Sequence, residues 1–169
     1  MAEKILVAYA SKYGATAQIA EVIALRLARS GFDAEARDVK EVTSLSGYKA
    51  VILGSGVYAG MWLKEAAGFL KAHEAELAKM PVWFFSDGPT GAGNPEELMK
   101  GWRFPEDLKP VAERIKPRDT AVFGGNVNAA KMSFLEKWVI KNVKSPVGDF
   151  RDWDMISKWA KGVAEALKA

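Results

Sequence analysis

Ile5-Leu-Val-Ala-Tyr-Ala-Ser-Lys-Tyr-Gly-Ala-Thr-Ala-Gln-Ile-Ala20 joins an apolar run, a small-residue turn and the start of a helix without a break. Ile5 to Tyr9 is a continuous apolar run, as expected of a strand buried on both faces of a parallel sheet. The residues that follow suit an anion. Ser11 and Thr16 carry hydroxyls, Gly14 lets the backbone curl close to a ligand, and the helix predicted from Ala15 turns its free N–H groups toward whatever lies in front of it. Such a turn holds a phosphate without a dedicated cation.

The spacing also says which phosphate ligands do not fit. A Walker loop requires Gly-x-x-x-x-Gly-Lys-Ser/Thr and a dinucleotide fingerprint Gly-x-Gly-x-x-Gly, and this turn has a single glycine. Ser11-Lys12-Tyr13-Gly14-Ala15-Thr16 instead resembles the first loop of the flavodoxin family, which surrounds the phosphate of FMN. Taken alone, the same six residues are also compatible with an ordinary strand-to-helix turn. The rest of the chain has to decide between the two.

At 169 residues the chain has the length of one well-buried domain, read here as a single unit over 1–169. It has no cysteine, which excludes a disulfide scaffold, thiolate metal sites and a cysteine nucleophile, and no metal site is expected. Any redox chemistry must then come from a cofactor. The N-terminus passes directly into the first apolar run, which reads as a core strand rather than a leader, and no stretch approaches the roughly 20 apolar residues of a membrane span. A net charge of +3, dispersed along the chain, argues against nucleic acid as a partner. The expected location is cytoplasmic.

Further along, apolar residues at helical spacing predict a helix from Ala15 to Arg29, stopped by Gly31. Phe32, Ala34 and Ala36 alternate with charged residues as in a half-exposed edge strand. Ala50–Leu53, Pro81–Phe85 and Ala121–Phe123 read as further buried strands, Lys64–Leu77 as a helix, and Trp153–Leu167 as an amphipathic helix. Alternating strands and helices imply an α/β fold with helices on both faces of a parallel sheet. The flavodoxin-like form of it is a three-layer sandwich around five strands in the order 2-1-3-4-5, with ligands beyond the carboxyl ends of the strands.

Two further loops then meet the first. Ser55, Gly56, Val57, Tyr58, Ala59 and Gly60 follow the third strand; their glycines allow close backbone approach, and Tyr58 offers a plane to cover a flavin ring. Trp62 either joins that wall or anchors the next helix in the core. Ser86, Asp87 and Gly88 open a Gly- and Pro-rich loop whose hydroxyls, including Thr90, are placed to contact the ribityl chain or the pyrimidine edge. The resemblance therefore implies FMN as cofactor, held by Ser11, Lys12, Tyr13, Gly14, Ala15, Thr16 and these two loops.

The second half resembles a narrower group. Gly124-Gly-Asn-Val-Asn-Ala-Ala-Lys-Met-Ser-Phe134 and Gly148-Asp-Phe-Arg-Asp-Trp153, with Lys12 after the serine, are similar to the flavodoxin-domain family that includes quinone-dependent protoporphyrinogen dehydrogenases. That likeness implies an FMN-dependent oxidoreductase with a porphyrinogen or related reductant and a quinone acceptor. Electron-carrying flavodoxins commonly place an aromatic residue in the third loop and surround the site with acidic side chains, whereas this loop has no aromatic and the chain is not acidic. A carrier that docks on redox-protein partners is the alternative, and a domain of the same topology without FMN is a third. Lys12 or Arg103 near the ring would favour its reduced anion. No side chain is singled out as catalytic, and His73 reads as an ordinary surface residue in mid-helix. Lys131–Lys144 has one apolar side flanked by lysines, suited to the inner face of a membrane as well as to packing on the sheet.

Overall fold

The computed structural model describes residues 2–88, 94–127 and 148–169. Parallel strands β1 (Lys4–Ala10), β2 (Asp33–Asp38), β3 (Ala50–Tyr58), β5 (Val82–Asp87) and β6 (Asp119–Phe123) lie in the order β2-β1-β3-β5-β6. The short β4 (Met61–Trp62) folds back antiparallel onto the end of β3. Without that hairpin strand, the order is the expected 2-1-3-4-5. The register runs Lys4 opposite Asp33, Ile5 opposite Ala50, Val51 opposite Val82 and Phe85 opposite Ala121. A second, two-stranded sheet pairs β7 (Asn126–Val127) with β8 (Gly148–Asp149).

Strand alternation distributes the core between two faces, because successive side chains point to opposite sides of the sheet. Ile5 and Val7, Ala50 and Ile52, Trp83 and Phe85, and Ala121 and Phe123 pack toward α1 (Ala15–Arg29) and the C-terminal helix. Leu6 and Ala8, Val51 and Leu53, and Val82 and Phe84 pack on the other side, under α2 (Lys64–Ala72), α3 (Glu74–Leu77) and, beyond the short α4 (Pro95–Leu98), α5 (Lys109–Ile115). Both faces of the central strands are thus covered, which is why their sequences read as unbroken apolar runs. β2, at the edge, alternates charged and small residues and is only half-buried.

The C-terminal helix α6 (Trp153–Lys168) starts at Asp152, whose carboxylate accepts from the Met155 N–H at 3.0 Å. Its buried Ile156, Val163 and Leu167 lie against α1 and the sheet, each contributing about 1.5–3 kcal/mol by leaving water.

Two expectations need correction. The helix over Lys64–Leu77 is broken at His73 (φ −107°, ψ 14°), where the chain turns from α2 into α3. His73 is not an ordinary surface residue either. Its half-buried ring lies 4.5 Å from that of Phe69, and Nδ1 faces Glu76 at 3.6 Å, too long for a hydrogen bond. Helical spacing alone gave no sign of this break. The segment Lys131–Lys144, with its expected membrane contact, lies outside the described residues, as does Thr90. No helix among the described residues is long and apolar enough to cross a membrane.

Candidate functional site at the carboxyl end of the sheet

β1 ends at Ala10, and α1 begins at Ala15, after the four residues Ser11 to Gly14. Gly14 precedes the helix with φ 94° and ψ −9°, a left-handed conformation that strains any L side chain. Its N–H donates to Ser11 Oγ at 2.9 Å, which closes the turn. Among the described residues no side chain caps α1, and no residue of its own first turn is acidic, so the positive end of the helix faces the carboxyl end of the sheet.

Ser55, Gly56, Val57 and Tyr58 are not in a loop. β3 continues through all four, and the turn is only Ala59-Gly60, both at positive φ (54° and 75°). This pairing of positive φ values is the hairpin geometry that suits the twist of flanking strands, at the cost of strain at Ala59. The glycines that read as turn signals are packing residues: a Cβ on Gly54 would lie 2.0 Å from Phe85 Cζ, and one on Gly56 would lie 3.1 Å from the Tyr58 ring and 3.4 Å from Thr16 Oγ1. Ser86 and Asp87 likewise belong to β5.

Two of the predicted hydroxyls are engaged by the protein. Ser55 Oγ donates to the Gly56 carbonyl and accepts from the Leu63 N–H, and Ser86 Oγ accepts from the Trp62 indole at 2.8 Å. Trp62 is buried edge-on against Phe84 and Phe104, so it anchors the hairpin in the core rather than covering a ligand. Tyr58 on β3 is 42% exposed and Met61 opposite it 52%, placing an open ring and thioether at the tip.

Between the first loop and β5 lies a buried polar pair. The Thr16 hydroxyl donates to Asp87 Oδ2 at 2.9 Å, with Thr16 3% and Asp87 5% exposed. Burial pushes the Asp87 carboxyl up to about 7, against the opposing pull of the Thr16 hydrogen bond and of Arg151, while Asp149 adds to the rise. Among the described residues, Asp87 Oδ1 and the Tyr13 hydroxyl are buried with no hydrogen-bond partner. Tyr13 and Asp87 line a cavity of about 60 Å³ that also touches Ser11, Thr16, Tyr58 and Gly88. It has room for a phosphate group and is too small for a whole mononucleotide, whose remainder must lie across the rim beside Tyr58.

Charge around this cavity comes from two sides. Lys12 Nζ stands 5.3 Å from the Tyr13 ring and 5.6 Å from the Tyr58 ring, within reach of both π faces. Burial and the proximity of Asp87 raise the Tyr58 hydroxyl above its ordinary value, against the pull of Lys12. Arg151, its side chain 6% exposed, is gripped by both Asp149 oxygens and reaches Ala15 O at 3.2 Å and Gln18 Oε1 at 2.6 Å. It ties the β8 segment to the start of α1. Sequence reasoning missed this role; the only signal was the Gly148–Trp153 motif, which says nothing of contact with residue 15.

Arg103, by contrast, is far from the loops. It donates to the Thr120 carbonyl and lies 4.0 Å from Asp119, at the amino end of β6, which removes it from any flavin-tuning role. The remaining predicted residues, Ser11 to Thr16, Gly56 to Gly60, Asp87 and Gly88, converge on one end of the sheet.

Residues 6–154 match the family described as flavodoxin domain. The chain is 22% identical to the protoporphyrinogen IX dehydrogenase (quinone) of Escherichia coli strain K12, over 95% of this chain and 94% of that protein. Among solved structures it is similar to a flavodoxin from the domain Archaea, with a TM-score of 0.64 at 14% identity over 98% of this chain and 99% of that one. It also resembles the rubredoxin oxygen:oxidoreductase of Desulfovibrio gigas, with a TM-score of 0.63 at 17% identity, over 98% of this chain but only 36% of the other.

Proposed function

The chain belongs to the flavodoxin domain family, so its cofactor is FMN and its role is redox; on that premise we propose an oxidoreductase passing electrons from a porphyrinogen-like reductant to a quinone-type acceptor. The observation that carries this reading is the uncapped α1 N-terminus facing a phosphate-sized cavity, with the open Tyr58 ring at its rim. Bound there, FMN supplies hydride and single-electron exchange.

The residues present fit that group. The Ser11–Gly14 turn and the first N–H groups of α1 would hold the phosphate, with Thr16 at the floor. Tyr58 would cover the ring, and the Ala59-Gly60 turn and Gly88 would present backbone donors and acceptors to its polar edge. Lys12 is the cation nearest these rings on the loop itself. The porphyrinogen and quinone are supported by the near full-length likeness to the Escherichia coli enzyme. Exposed Tyr58 and Met61 favour a second reading, an electron carrier whose protein partner docks on the hairpin tip.

Titration of the apoprotein with FMN and with riboflavin, followed by flavin fluorescence, is the first test. Tight FMN binding with riboflavin weaker by at least 100-fold is expected from the loss of the phosphate contacts, on the order of 3 kcal/mol. Equal affinity would remove the phosphate cradle. Saturable porphyrinogen oxidation with a quinone then separates the enzyme from the carrier.

A further inference from the structure

The polarity of the Thr16–Asp87 hydrogen bond conflicts with the ligand that the cavity suits. A hydroxyl has one proton, and Thr16 gives it to Asp87 Oδ2. As long as it does so, Thr16 turns only lone pairs toward the cavity, and a phosphate dianion needs donors. Asp87 is more than nine-tenths buried and its Oδ1 has no partner among the described residues, so an ionised carboxylate and a phosphate would be two anions on one small, poorly solvated site.

Resting on the FMN reading above, we propose that Asp87 takes up a proton from solvent when the FMN phosphate enters, which reverses its hydrogen bond with Thr16 and frees the Thr16 hydroxyl to donate to the phosphate. The proton resides on Oδ2 and is donated to Thr16 Oγ1; the Thr16 proton rotates to a phosphate oxygen. Oδ1 is left as a neutral carbonyl oxygen, far cheaper to bury without a partner than half a carboxylate charge. Asp87 is thus a positioning residue that acts through Thr16 and makes the cradle selective for a phosphate ester over the dephosphorylated flavin.

The surroundings agree. Among the described residues, the groups around Asp87 are Thr16 from α1, Tyr13 of the first loop on the same cavity, Arg151 and Asp149 from the β8 segment, and Tyr58 from β3, with Lys12 beyond it. Arg151, held up by Asp149, stays cationic across the neutral range, and Asp149 is held low by its bonds to Arg151. The Tyr58 phenol, already raised, stays neutral. A carboxyl held near 7 is the group among them that a neighbouring dianion shifts across the working pH range.

Calorimetry of FMN binding at pH 8, in two buffers of different ionisation enthalpy, counts the protons. Above its second pKa of about 6 the phosphate is already a dianion and releases none. Uptake of about one proton per FMN is expected in the wild type, with Kd rising about tenfold per pH unit between pH 7.5 and 8.5. Riboflavin affinity, read by fluorescence, stays flat over the same range. D87N carries a permanent donor toward Thr16, so it binds FMN with no proton uptake and no pH slope. FMN binding without buffer-dependent heat overturns the proposal alone, as does uptake that persists in D87N. FMN that fails to bind at all overturns the cofactor reading and this proposal with it. The wild-type proton count and pH slope decide the matter even where D87N does not fold.

Discussion

At the amino ends of the strands, charged groups sit in water and find partners: Lys49 with Glu3, Arg103 with Asp119 and the Thr120 carbonyl, and the Trp159 indole with Asp119 at 2.8 Å. At the carboxyl ends the pattern inverts. Asp87 and Thr16 are buried, and among the described residues Asp87 Oδ1 and the Tyr13 hydroxyl have no hydrogen-bond partner. The core beneath is continuous from one end to the other, so the contrast cannot come from poor packing. Two unpartnered polar groups in residues that line one cavity are what a ligand would complete, and in an open parallel sheet the ligand end is the carboxyl end.

The comparison yields predictions of decreasing size. The largest concerns the approach to the site, where Gly54 lets the Phe85 ring lie across β3. Gly54→Ala would put a methyl inside that ring and should destabilise the fold by about 3 kcal/mol or more, seen as a lower urea midpoint. A wild-type midpoint in this variant would show that the carboxyl half is loosely packed after all, and the contrast between the ends would lose its meaning.

Next is the pH dependence of stability. Asp87 titrates near 7 in the folded chain and near 4 when unfolded, so the folded state binds the extra proton and stability falls as pH rises between those values. From pH 5 to 7 the loss should be about 2 kcal/mol in the apoprotein and should vanish in Asp87→Asn, read by denaturant unfolding at each pH. Asp149, held low by Arg151, acts with the opposite sign and below this window. Identical slopes for the two proteins would sink the idea that an uncompensated charge is buried at the ligand end.

The smallest effect compares two lysines. Lys12 stands at the rings of the candidate site and Lys49 at the opposite end, paired with Glu3. Lys12→Ala should lower the flavin midpoint potential by tens of millivolts, from roughly 0.5–1 kcal/mol of Coulomb attraction, whereas Lys49→Ala should leave it unchanged. Equal shifts would mean that net charge, not position, sets the potential.

The sheet was legible because its signals are local. Ile5–Tyr9, Ala50–Leu53 and Pro81–Phe85 are apolar runs that must be covered on both faces, and the helix Ala15–Arg29 announces its own face and its stop at Gly31. The first loop was legible for the same reason. What could not be read depends on distant partners. Gly54 and Gly56 suggested a turn because nothing nearby in sequence says that Phe85 and Thr16 lie where their side chains would go. Thr16 and Asp87 are 71 positions apart, and Arg151 reaches Ala15 from the far end of the chain. Arg103 was placed by its neighbourhood in a loop, but the loop leads to the other end of β6.

The covering of one sheet face by α1 and α6 bears on how the chain comes off the ribosome. Ile19, Ile23 and Leu27 are made early, whereas Ile156, Val163 and Leu167, which share their cluster, are made more than a hundred residues later. Throughout that interval β1 can recruit β3 and β5, but the apolar strip beside α1 stays bare. A nascent chain stalled before residue 156 should therefore present a sticky, half-clad sheet to chaperones, and its release should come only with the last helix.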